Sequence, residues 1–136
     1  MVKRPTTFLD SLITQRHLRP ESVADGPGEV YFLLEKVIAG NIIVAKLGMT
    51  TDFDRRFDEH ERICPQTGRL DLWRKEVPYR RRTEALLHLY LEDICVDRPR
   101  VICSSCGRKH IELFKFHSNQ LQSVLSFLDS LVPSLT

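Results

Sequence analysis

Lys46-Leu47-Gly48-Met49-Thr50-Thr51-Asp52-Phe53-Asp54-Arg55-Arg56-Phe57-Asp58-Glu59-His60 is the stretch whose reading decides the fold. A helix that begins at Phe53, after a Thr51/Asp52 cap, puts Phe53, Arg56, Phe57 and His60 at i, i+3, i+4 and i+7 on one face. Charged side chains are rarely buried without partners, so an apolar stripe broken by an arginine and a histidine suits the wall of a cleft. The plainer reading is a surface helix whose Arg56 and His60 flank a phenylalanine pair. Upstream, Gly28 to Val37 and Ile42 to Leu47 are rich in β-branched and aromatic residues, and Gly40-Asn41 between them has the chemistry of a turn. The expectation is a β-hairpin that feeds a helix.

A chain of 136 residues with 42% hydrophobic content can bury one core and leaves little room for a second folded module. Lys and Arg total 20 against 18 Asp and Glu, and a net charge of +2 does not by itself call for a nucleic-acid partner. Any such affinity has to come from local clusters: Arg55/Arg56, Arg74/Lys75, Arg80-Arg81-Arg82, Arg98/Arg100 and Arg108/Lys109. No apolar run approaches the ~20 residues of a membrane helix, and the N-terminus lacks the apolar core of a signal peptide. The expected location is intracellular, with nucleus and cytoplasm not distinguished. Four cysteines then read as thiols or metal ligands more readily than as disulfides.

Residues 1–27 read as an N-terminal extension with a brief helix around Phe8 to Arg16, cut short by Pro20, Gly26 and Pro27, and peripheral to a domain over 28–136. Leu70 to Val77 reads as a third strand ended by Pro78. The segment from Pro78 to Cys95 is strongly helical, with Glu84, Leu87, His88, Leu91 and Cys95 on one stripe. Arg80, Arg81 and Arg82 sit at its start, where positive charge opposes the helix dipole, and a phosphate-facing role would offset that conflict. Cys103-Ser104-Ser105-Cys106-Gly107 makes a knuckle with His110 close by, and zinc held by Cys103, Cys106 and His110 is one reading of it; the fourth ligand is left open among Cys95, Cys64 and His88, and a metal-free turn is the other. A strand follows from His110 to Phe116, with Glu112 on it. From Ser118 onward, Leu121, Val124, Leu125, Leu128 and Leu131 form a helical stripe that closes the core.

The order of strand with Tyr31, turn, strand ending Lys46-Leu47-Gly48, loop, and helix with Arg56 and His60 resembles the catalytic core of the GIY-YIG nuclease superfamily. Glu29-Val30-Tyr31 stands for the first signature, Lys46-Leu47-Gly48 for the second, and the arginine of the superfamily falls on Arg56. Lys46 occupies the place of the second signature's tyrosine. That departure, Glu84-x-x-x-His88, and His110-x-Glu112 after a Cys-x-x-Cys resemble the phage-derived and fungal branch, with its phage Orf-type DNA-binding domains.

The resemblance covers roughly residues 28 to 117. It implies an α/β (α+β) domain with a small, mainly antiparallel three-stranded sheet flanked by helices, and a C-terminal hairpin and helix. The implied activity is divalent-metal-dependent endonuclease hydrolysis of DNA phosphodiester bonds. Glu84 would bind Mg2+ or Mn2+, Arg56 would hold the pentacovalent charge, and Tyr31, assisted by Lys46 or His60, would accept the proton of water. His88 and Glu112 form a secondary site, and Arg55, Arg80, Arg81 and Arg82 are the expected contacts to DNA. Tyr31, Lys46, Arg56, His60 and Glu84 are expected to converge on one concave surface. A catalytically inactive DNA-binding module of the same fold is the alternative, and Lys46 favours it. A zinc-stabilised interaction domain with Arg56, His60 and Glu84 in a structural polar network is a third reading.

Overall fold

The two runs rich in β-branched and aromatic residues become the centre of the sheet in the computed structural model, which describes residues 3–64, 69–100, 106–107 and 112–135. Strands β1 (Gly28–Ile38) and β2 (Ile42–Thr50) pair antiparallel, with Tyr31 opposite Gly48 and Leu33 opposite Lys46. β3 (Leu70–Val77) adds to the outer side of β1 and β4 (Leu113–His117) to the outer side of β2. The order is β3-β1-β2-β4, and every pairing is antiparallel. The sheet therefore has four strands, one more than expected. In place of a separate C-terminal hairpin, β4 docks on β2, because Phe114 and Phe116 stand opposite Ala45 and Ile43 and point to the same apolar face.

Alternation along the strands divides the molecule. Val30, Phe32, Ile43, Ala45 and Leu47 face one side, where α3 (Arg80–Ile94) and α4 (Leu121–Leu135) cover them with Leu86, Leu87, Leu91, Val124 and Leu128. Tyr31 and Leu33 face the other side and meet Phe53 and Phe57 of α2 (Phe53–Ile63). The stripe expected on α2 is observed: Phe53 and His60 are buried, and Arg56 and Phe57 are half-buried. Its N-cap is Asp52, whose carboxylate accepts the Arg55 backbone N–H at 3.2 Å. α4 follows a short 3-10 turn (Ser118–Gln120) and closes the core, as its stripe requires.

The N-terminal segment is not peripheral. α1 (Thr6–Leu18) packs on α3 and buries Leu9 completely and Ile13 almost so. Arg4 donates to Glu92 of α3 three times, from its backbone N–H at 2.8 Å, Nε at 2.9 Å and Nη2 at 2.8 Å. Arg98 adds a bond from Nη1 at 3.1 Å, so the buried Glu92 carboxylate is shared by two guanidiniums. Burial alone would raise the Glu92 pKa; hydrogen bonds from Arg4 and then Arg98 override it and hold the carboxyl at about 2.

Asp25, just before β1, resolves the conflict at the start of α3. Its carboxylate accepts the backbone N–H groups of Arg81 and Arg82, both at 2.9 Å, and so supplies the negative charge that three arginines lack. Arg82 in turn donates to the carbonyls of Arg16, His17 and Arg19, capping the C-terminal end of α1. Arg82 of α3 thus caps α1, and Asp25, between α1 and β1, caps α3.

Two outcomes follow for stability. Glu92→Gln should cost about 3–5 kcal/mol at neutral pH, because it strands buried guanidinium charge. Since the folded-state pKa is depressed, this contribution is complete above the ordinary value of 4.5 and is lost as pH falls through about 2. Urea midpoints followed against pH should show the wild-type advantage over the variant shrinking across that window. At the β1–β2 turn, Ala39 holds φ 53° beside Gly40 at 77°. Ala39→Gly should raise stability by about 0.5–1 kcal/mol in the same assay by removing a left-handed alanine.

Candidate active site

β4 pairs with β2 only from Ile42 to Lys46, and the next N–H, that of Leu47, goes to the Glu112 carbonyl at 3.2 Å. From Gly48 to Thr50, β2 pairs with β1 alone, so its outer edge has no strand partner among the described residues. Helices α2 and α3 lie on opposite faces of the sheet, and side chains from both reach each other around this short edge.

Gly48 makes the meeting possible. A Cβ at this position would run into Cζ and the hydroxyl of Tyr31, so the phenol ring lies across the backbone of β2 where a side chain would otherwise stand. Phe53 packs edge-on to that ring with centroids 5.4 Å apart, and the Arg56 guanidinium lies near enough to stabilise its charged form. Burial raises the Tyr31 pKa, Arg56 pulls it back, and the charges of Glu112 and Glu84 push it up again. Tyr31 therefore senses α2 and α3 together.

Lys46 is buried at 5% exposure, and its Nζ lies 3.7 Å from Glu112 Oε2. Burial lowers its pKa, Glu112 opposes that, and Arg56 adds to it. Burial pushes the Glu84 carboxyl up to about 7, with Glu112 the second cause, while Lys46 and Arg81 act against them. Tyr31, Lys46, Arg56 and Glu84 are thus tied to one another, with Glu112 common to all four.

His60 stands one step back. Its Nε2 pairs with Glu35 Oε1 at 2.7 Å, and Glu35 Oε2 accepts from Arg69 Nε at 2.7 Å. Glu35 falls at a register shift in β1, between Leu34 opposite Ala45 and Lys36 opposite Val44, and its carboxylate is buried on the side that Tyr31 and Leu33 face. Arg69 also pairs with Glu61. His60, expected beside Tyr31, is engaged in this buried network, which bears on Lys46.

His88 lies one turn after Glu84. The Leu47 carbonyl lies near its ring, and Nε2 is buried without a hydrogen-bond partner among the described residues. Nε2 faces Glu84 Oε1 at 3.8 Å. Burial, then Arg98, lowers the His88 pKa to about 4, so the ring is neutral at physiological pH. Glu84, Ala85, His88, Arg98, Arg100 and Glu112 line a recess of about 270 Å³. A larger recess, about 580 Å³, lies around Pro27, Glu29, Thr51, Glu76 and Pro78 and contains none of the expected catalytic residues.

The expected DNA-contacting arginines divide. Arg81 is exposed near Glu84, and Arg55 is exposed beside Glu59 at 3.4 Å. Arg82 is withdrawn, because its guanidinium caps α1, and Arg80 is half-buried with Nη1 at 3.3 Å from the Pro27 carbonyl. For zinc, Cys103 and His110 lie outside the described residues, and Cys106 is half-buried beside Gly107. Cys95, one of the residues left open as a fourth ligand, donates its thiol to the Glu92 carbonyl at 3.2 Å, and burial pushes its pKa up to about 11. Among the described residues no group of three His, Cys, Asp or Glu side chains is arranged to hold a metal ion.

Glu35, Arg69, Asp25 and Glu92 escape a reading by motif. Glu35 has the same strand parity as Tyr31 and Leu33, and Glu92 stands four residues after His88, so both carried a spacing signal. Asp25 and Arg69 carried none, since their partners are far away in sequence or lie beyond a loop.

The class of domain is an antiparallel α+β fold with Tyr31, Lys46, Arg56 and Glu84 electrostatically coupled near the end of β2. The model of the T5orf172 domain family matches residues 28–129, well over half of the 136 residues, and the chain belongs to that family. The family is associated with DNA-binding and nuclease roles. Neither the curated proteins nor the solved structures yield a match. No helix among the described residues is long and apolar enough to cross a membrane.

Gly48→Ala tests the crossing of Tyr31 over β2. The added methyl has to displace the ring, so the variant should lose about 1–3 kcal/mol and change its near-ultraviolet circular dichroism in the tyrosine band. An unaltered spectrum and melting temperature would show that the ring does not lie there in solution.

Proposed function

We propose that this chain is an endonuclease domain of GIY-YIG type that hydrolyses DNA phosphodiester bonds with a divalent cation. The observation that supports the reading is the electrostatic coupling of Tyr31 and Arg56 with Lys46 and Glu84 near the end of β2, which has no outer strand partner among the described residues. Arg81 and Arg100 are exposed near Glu84 and suit a phosphate backbone.

The residues support a division of labour. Arg56 is a fixed cation beside the phenol and suits the negative charge that grows on phosphorus oxygens during attack. Tyr31 and Lys46 suit the water. Burial lowers the Lys46 pKa, which makes its neutral amine more accessible and lets it draw the proton that Tyr31 takes from the attacking water. The water oxygen then bonds to phosphorus as the leaving oxygen departs. Glu84, with the unsatisfied Nε2 of His88 facing it, fits a divalent cation, which when bound supplies positive charge at the scissile phosphate and the leaving oxygen. His60 acts through Glu35 and Arg69, as a brace for the pocket of Lys46.

Nicking of supercoiled DNA in magnesium or manganese tests the reading. Glu84→Gln and Arg56→Ala should each lower the rate by at least ~10²-fold while DNA affinity changes little. Arg81→Ala should mainly weaken binding and reduce its dependence on salt. Binding by the unmutated chain without cleavage in any divalent cation would replace the enzyme with a DNA-binding module of the same fold.

A further inference from the structure

An imidazole nitrogen that is buried and unsatisfied is unusual in a folded protein and calls for a ligand. Among the described residues, His88 Nε2 is such an atom. A neutral imidazole with its lone pair on this nitrogen is the form a metal needs. Phe114 packs against the ring with centroids 5.3 Å apart and limits its rotation. Glu84 Oε1 lies 3.8 Å away, too far for a hydrogen bond. Two donors at that separation can share one ion, which bonds to each at ~2.0–2.2 Å.

We infer that Glu84 and His88 together form a two-donor site for a divalent cation, and that the imidazole makes it a site for manganese-type ions in preference to magnesium. The inference rests on the reading of Glu84 as the cation-binding carboxylate and specifies the ion that the site takes. Magnesium is a hard ion that binds through oxygen and keeps its waters, whereas manganese lies further along the series in which affinity for nitrogen ligands grows. Two protein donors leave the other positions to water or phosphate oxygens. Glu112 lines the same recess, with Oε2 3.7 Å from Lys46 Nζ, and Arg98 and Arg100 complete the lining.

Manganese alone, added to the full chain without DNA, is the probe; zinc is avoided because Cys103 and Cys106 offer thiolates of their own. Loss of the free-ion paramagnetic resonance signal should report one bound Mn2+, displaced by Mg2+ only at about tenfold or greater excess. His88→Gln should weaken Mn2+ binding by about tenfold or more and leave Mg2+ binding within about twofold. Glu84→Gln should abolish both. Substoichiometric Mn2+ should also broaden the His88 ring resonances of the unmutated protein, a readout that needs no variant to fold. Unbroadened His88 resonances, or equal Mn2+ affinity in His88→Gln, would overturn the inference and leave the nuclease reading standing. Mn2+ bound at His88 in a protein that cleaves no DNA would support the site and remove the nuclease reading.

Discussion

At Gly48 the backbone of β2 carries no side chain, and the ring of Tyr31 occupies the place one would take. A side chain there would push the phenol from this place on the α2 face, where it packs against Phe53 and lies within electrostatic reach of Glu84 on α3. Three further features make the placement useful. β4 stops pairing at Lys46, so the backbone ahead of it has no outer strand partner among the described residues. The Leu47 carbonyl lies there near the His88 ring. Lys46, one residue before, turns to the Tyr31 face and pairs with Glu112 beyond the end of β4. A glycine, a short edge strand and two adjacent β2 residues of opposite facing thus bring two helices' side chains to one place.

Much of the fold was legible because it is written in short periods. The hairpin, the Asp52 cap, the stripe of α2, the third strand at Leu70–Val77 and the apolar face of α4 all follow from alternation at two or at three to four residues. The role of residues before Gly28 was not legible. The weak amphipathic signal of α1 comes from a helix that buries only Leu9 and Ile13, and its attachment depends on Arg4 reaching a residue 88 positions away. The site was legible in its members more than in its partners. Glu35 marks the difference: its parity put it on the side of Tyr31 and Leu33, and its partner His60 could be named, but their pairing across 25 residues is made only by the fold.

Buried charge serves two opposite ends in this domain. Around Glu92 it is fully matched, with two guanidiniums and a backbone N–H on one carboxylate, and the result ties the N-terminal segment, α3 and the stretch leading to β4 together. Around Glu84 it is left unmatched: the carboxyl is buried beside a neutral ring and another carboxylate and is pushed up to about 7. Matched networks specify structure, whereas an unmatched one stores affinity for something that brings charge. The two lie eight residues apart on one helix, and Arg98, bonded to Glu92 and lining the recess beside His88, joins them.

Lys46 links the two sides of this arrangement. As an ammonium, its Nζ lies 3.7 Å from Glu112 Oε2 and offsets that charge, and Glu112 in turn bears on Glu84, which stands 3.8 Å from His88 Nε2. The amine therefore acts at a distance from its own position. The two parts it can play exclude each other at any instant: the ammonium compensates Glu112, whereas only the neutral amine that burial favours can take a proton. Glu112 works against the neutral form and Arg56 works for it, so the balance between the two states is set by groups on both sides of the sheet.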